Sequence, residues 1–179
     1  MPVLKGVNEP QNRGKMPTHE ADAHRKRPTL WVRIGSAVLA VQMLALGVPA
    51  SVAPLWFFDW FPFGAGWVAA GGPYNGHLLS DLGYAYLALA VVLGWAAVRP
   101  VRELCLAAAA AAVVANTPHL LFHLAHAEAL PIVDSVAENA LLAFTVVVGL
   151  AVFFGAYRIP AGGVASPAQQ GVGLPRERA

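Results

Sequence analysis

Residues 34–58 carry no charged side chain, and no lysine or arginine occurs between Ile34 and Val98. An uncharged run of that length exceeds the about 20 residues that carry a helix across a bilayer. Three further apolar stretches follow, at residues 77–98, 104–125 and 132–157. Each is bounded by helix breakers or charge: Arg99-Pro100 after the second, Pro131 before the fourth, and Arg158 with Pro160 after it. The first span is predicted over residues 30–48, with Pro49 and Pro54 marking its exit. Together these runs predict an all-α, polytopic membrane four-helix bundle over residues 30–158. Residues 1–29 read as a disordered basic tail, and residues 159–179 as a second disordered tail rich in Gly and Pro.

The composition agrees. Charged residues make up 12% of the 179, against about 25% in an ordinary soluble domain. The basic residues of the tail have no aromatic interleaving and adjoin an apolar run, which points to a lipid surface and not to nucleic acid. Arg25-Lys26-Arg27 closes the tail at the level of anionic headgroups. The single cysteine, Cys105, has no partner for an internal disulfide and reads as a small buried hydrophobe. The third span is alanine-rich, which allows close helix approach, and Pro118 predicts a kink in its second half. Trp56-Phe57-Phe58-Asp59-Trp60-Phe61-Pro62-Phe63 reads as a segment lying in the interface or a packed lid.

Four spans make the connections alternate sides. All twelve Lys and Arg residues fall in the N-terminal tail, the 99–103 link, the C-terminal tail or, as Arg33 and Arg158, at the span ends beside the tails, all on one side. The positive-inside rule therefore predicts a multi-pass plasma-membrane protein with both termini cytoplasmic. Val48-Pro49-Ala50 has the small-residue character of a signal-peptide cleavage site. Against cleavage, the basic region before it is over-long and the apolar run continues past Ala50.

The other side collects Asp59, Asp81, Glu128, Asp134 and Glu138, with His77, His119, His123 and His126. His77 and Asp81 are i and i+4, as are His119 and His123, and Asp134 and Glu138; His126 follows His123 by three. Ionisable groups at membrane depth are costly unless paired, hydrated or bound to an ion. Imidazoles and carboxylates on facing helices suit Zn, Fe, Mn or Cu. The candidate metal ligands are His77, Asp81, His119, His123, His126 and Glu138, with Asn139 a plausible neighbour. Asp134 also serves as a helix-start acid favoured by the macrodipole, and Tyr74 and Asn75 either cap the second span or line a cavity. No Glu follows His119 as in zincins, and no Walker or Rossmann motif is present. The same groups also read as a hydrated hydrogen-bonded network at the headgroup level, as part of a proton path extended by Gln42, Asn116 and Thr117, or as haem b ligands.

Two strings carry a resemblance. Gly72-Pro73-Tyr74-Asn75-Gly76-His77 with Asp81-Leu82-Gly83, and Pro118-His119-Leu120-Leu121-Phe122-His123-Leu124-Ala125-His126, resemble a group of small, uncharacterised four-span membrane proteins of actinobacterial type. The layout is also similar to DoxX-like four-helix membrane proteins in architecture. The resemblance spans residues 34–157. It implies the four-helix membrane fold and places these histidines and Asp81 in the family pattern, with no activity attached.

The functional expectation is a binding or accessory membrane protein with a His/Asp cluster at the outer face, occupied by a transition metal. One alternative is a membrane-embedded metalloenzyme, in which the metal activates water or oxygen beneath the 56–63 segment. The other is a structural or partner-binding bundle with a hydrated polar rim. The lipid bilayer is the expected partner; a homo-oligomer or a membrane partner stays open.

Overall fold

The computed structural model describes the backbone of residues 18–161 and the side chains of residues 29–161. Six α-helices follow in order: α1 (Thr18–Val52), α2 (Pro54–Trp60), α3 (Trp67–Ala70), α4 (Gly76–Val98), α5 (Arg102–Ala125) and α6 (Ile132–Ala156). A 3₁₀ turn at Ala127–Ala129 joins the last two. Thr29–Val52, Gly76–Val98, Arg102–Ala125 and Ile132–Ala156 are each long and apolar enough to cross a membrane, with 24, 23, 24 and 25 residues. The chain is an all-α, polytopic four-helix bundle.

At both ends of α1 the helix and the boundaries read from the sequence differ. Residues 1–17 lie outside the described residues, but the backbone is already helical at Thr18. Pro49 likewise does not end α1, which continues to Val52. Of the C-terminal tail, residues 162–179 lie outside the described residues, and Ile159 is buried against the core.

Around the bundle the spans run α1, α4, α5, α6, each packed on its two neighbours. The core at the arginine-bearing end is built from Val32, Leu39, Met43, Leu93, Cys105 and Val152, filled in by alanines of α5. Small residues set the spacing. A Cβ on Gly83 of α4 would lie 2.7 Å from the Ser51 nitrogen and 2.9 Å from the Ala50 carbonyl carbon. On the facing helix, a Cβ on Gly47 would lie 3.0 Å from the Gly83 oxygen. Backbone approaches backbone there, which only small residues permit. Polar stitches cross the bundle at other levels. Arg33 Nε–H donates to the Ala97 carbonyl at 2.9 Å, and Gln42 donates to Thr145 Oγ1 at 2.5 Å.

The long connection between α1 and α4 does not trail into solvent. It forms α2, which packs on the ends of α1 and α4 opposite the arginines, and α3, which packs on α2. Phe57 is buried against Ala50 and Leu79, while Trp56, Trp60 and Phe63 point outward. One face of this segment thus seals the bundle, and the other presents aromatic rings at the height where such rings favour a membrane–water interface. Trp67 of α3 donates its indole N–H to Asp134 Oδ1 of α6 at 3.1 Å. That bond ties the lid to the far side of the bundle and gives Asp134 a role beyond its helix-start charge.

Candidate functional site

Beneath the lid lies a cavity of about 600 Å³. Phe57 and Phe58 of α2, Phe61 just beyond it and Trp67 of α3 roof it, and leucines of α4 and α6 line its walls. Its polar lining comes from four helices: Gln42 of α1, Tyr86 of α4, Asn116, His119 and His123 of α5, and Glu138 of α6. Asn75, whose side chain caps α4 by accepting from the Leu78 N–H at 3.1 Å, also reaches it. Asn116 is buried and donates to the Ala112 carbonyl at 2.8 Å, back into its own helix.

Four of these side chains form one hydrogen-bonded chain across three helices. Tyr86 Oη lies 3.2 Å from His119 Nδ1. His119 Nε2 faces His123 Nε2 at 2.9 Å. His123 Nδ1 then meets Glu138 Oε2 at 2.9 Å, both side chains being largely shielded, at 21% and 14% exposure. The i, i+4 spacing on α5 stacks the two imidazoles one turn apart.

The valence of these groups restricts how protons are arranged. A neutral imidazole has one donor and one acceptor nitrogen. With an ionised Glu138 and two neutral imidazoles, every bond is satisfied in one direction: Tyr86 donates to His119, His119 to His123, and His123 to Glu138. The chain then carries one negative charge. A proton added between Glu138 Oε2 and His123 Nδ1, on either atom, leaves His123 Nε2 a donor and so reverses the His–His and His–Tyr bonds. The chain becomes neutral, and the Tyr86 O–H is released to donate into the cavity. The array is therefore a two-state proton-bearing chain that ends at a ligand-sized space.

A smaller cavity of about 110 Å³ lies on the far side of His123 and Glu138 and is lined also by Trp67, His126 and Ser135. His123 and Glu138 thus form a shared wall between the deep space and the end of the bundle.

Of the six sequence-derived candidates, the structure brings together His119, His123 and Glu138. His77 and Asp81 face away: they pair only with each other, at 3.5 Å, with side-chain exposures of 89% and 55%. His126 turns back on its own helix, its Nδ1–H donating to the Phe122 carbonyl at 2.8 Å while its ring stacks on Phe122. Among the described residues, no group of three or more His, Cys, Asp or Glu side chains is arranged to hold a metal ion. His77, Asp81 and His126 thus stand apart from His119, His123 and Glu138. The helix phase of α4 sends the 77/81 stripe outward and the stripe of Leu79, Gly83 and Tyr86 inward. Tyr86 was not among the candidates. Its signal was a hydroxyl placed deep in an apolar span, one turn beyond Leu82. Asn139, expected beside Glu138, instead donates to the Ser135 carbonyl at 2.9 Å.

No protein-family model, curated protein or solved structure matches this chain.

Proposed function

We propose that this is a plasma-membrane binding protein, with both termini cytoplasmic, that holds a small and largely apolar molecule in the cavity at its outward end. The observation that carries this reading is the cavity itself: ligand-sized, largely apolar, with one continuous polar chain on its wall. Small-molecule sites have this make-up, an apolar lining with a few convergent polar groups that orient the ligand. The Tyr86–His119–His123–Glu138 chain offers a donor or an acceptor according to its proton count, so it recognises a ligand carrying a hydrogen-bonding or charged group. Positive-inside topology supports the outward placement, because the cavity lies at the end without lysine or arginine. A transition metal would find two facing nitrogens, on His119 and His123, and no third ligand among the described residues; the ligand reading accounts for more of the site.

The test uses the full chain in mild detergent and the uncharged fluorophore N-phenyl-1-naphthylamine. Saturable binding is expected, and Leu142→Trp, which places an indole into the cavity wall, should abolish it. His77→Ala lies outside the cavity and should leave it unchanged. Absence of saturable binding by the unsubstituted chain, or binding indifferent to Leu142→Trp, refutes the proposal.

A further inference from the structure

We infer that the molecule taken by this cavity is a lipophilic organic cation, an aromatic or alkyl-substituted ammonium or phosphonium; this rests on the binding-cavity reading above. Charge is the first argument. Among the described residues, Glu138 is the one acidic side chain that lines the cavity, and no lysine or arginine lines it. A lipid phosphate or carboxylate would meet no countercharge there, whereas a cation would. The wider field has the same sign. Asp59, Asp81, Glu128, Asp134 and Glu138 all lie at this end of the bundle, and no lysine or arginine occurs from residue 34 to 98 or from 103 to 157. A mouth lined by one sign of charge concentrates ions of the other sign.

The lining supplies the second argument. Phe58, Phe61, Trp67 and Phe122 edge the same space as Glu138, and aromatic faces attract cations that have shed water. A hydrated metal ion gains little from such walls, and a bulky organic cation gains burial as well as charge. The third argument is the proton-bearing chain. In its deprotonated state it carries one negative charge at membrane depth, where charge is costly unless compensated. A cation in the cavity compensates it; so does a proton on Glu138 or His123. The other titratable groups nearby are already engaged: Asp134 accepts from Trp67 and His126 donates to its own helix. Cation and proton therefore compete for one negative site.

The experiment measures tetraphenylphosphonium binding to the detergent-purified full chain by titration calorimetry, beside the neutral N-phenyl-1-naphthylamine. The unsubstituted chain should bind both, each displacing the other. Glu138→Gln keeps the side-chain shape and removes the charge. It should weaken tetraphenylphosphonium at least tenfold more, about 1.4 kcal/mol, than it weakens the neutral probe, whose remaining saturable binding also shows that the variant is folded. Phe122→Leu should weaken the cation more than the neutral probe. If the neutral probe binds and tetraphenylphosphonium does not, the cation inference is overturned and the cavity reading stands. Equal tetraphenylphosphonium affinity in Glu138→Gln overturns it too. Failure of both probes removes both readings.

Discussion

Gly83→Ala adds one methyl group where α4 crosses α1, and the structure says what it meets. The new Cβ would sit 2.6 Å from Ser51 Oγ, 2.7 Å from the Ser51 nitrogen and 2.9 Å from the Ala50 carbonyl carbon. Two of the three are backbone atoms, and the third is held in place because Ser51 Oγ–H donates to the Gly47 carbonyl at 2.6 Å. No rotamer change relieves such a contact; α1 and α4 have to part. Overpacking of this kind costs about 1–3 kcal/mol. Replacing glycine by alanine inside a helix returns roughly 0.5–1 kcal/mol. The expected net is a destabilisation of about 1–2 kcal/mol, read as a drop of about 2–8 °C in the thermal unfolding midpoint of the detergent-purified chain. Gly94→Ala on the same helix is the internal control. A Cβ there meets nothing within 4 Å, so that variant should match the parent or gain up to about 1 kcal/mol. Tyr86 lies three residues beyond Gly83 and Gln42 five before Gly47, so parting the helices should also weaken probe binding. If Gly83→Ala unfolds at or above the parent temperature, the close α1–α4 crossing is wrong.

Two further outcomes are expected. Trp67→Phe removes the indole donor to Asp134; a hydrogen bond to a charged acceptor contributes about 1.5–3 kcal/mol. Hydrogen exchange over residues 61–75 should therefore quicken at least about tenfold, with α1, α4, α5 and α6 unchanged, and an unaltered lid would show that this bond does not hold it. In a Cys105→Ala background, a membrane-impermeant maleimide on intact cells should label Ala65→Cys, on an exposed turn of the lid connection, and should not label Ala161→Cys. The reverse pattern would invert the topology and place the cavity inward.

What the sequence revealed and what it hid have one physical cause. Span-length apolar runs and their breakers are visible in a chain because a bilayer demands them, and the second, third and fourth helices end within two residues of where Arg99, Ala125 and Arg158 put them. The His119/His123 pairing was legible too, since i, i+4 spacing fixes a shared face whatever that face packs against. Helix phase was not. In a soluble helix the polar face shows which side is buried; here the lipid-facing side is as apolar as the core. The apolar sequence of α4 therefore does not mark the inward stripe of Leu79, Gly83 and Tyr86, two positions from His77 and Asp81, as the buried one.

That same absence of phase information decides which polar residues are informative. His77 and Asp81 stand at the very start of α4, where water is close, and their 3.5 Å pair leaves both mostly exposed. Polarity there costs little and so constrains little. Tyr86 lies ten residues into the helix, buried to 6% exposure, and its hydroxyl needs a partner from another helix; His119 supplies it at 3.2 Å. His119 and His123 occupy the last two turns of α5, and the requirement passes from one to the next until Glu138 closes the chain. The face a residue occupies, more than its type or its depth, separates a polar group that a neighbour must answer from one that water answers: Asp81 and Glu138 lie equally near the starts of α4 and α6, and only Glu138 is shielded. By that measure the informative residues are Tyr86, His119, His123 and Glu138, and they are the ones that face the cavity.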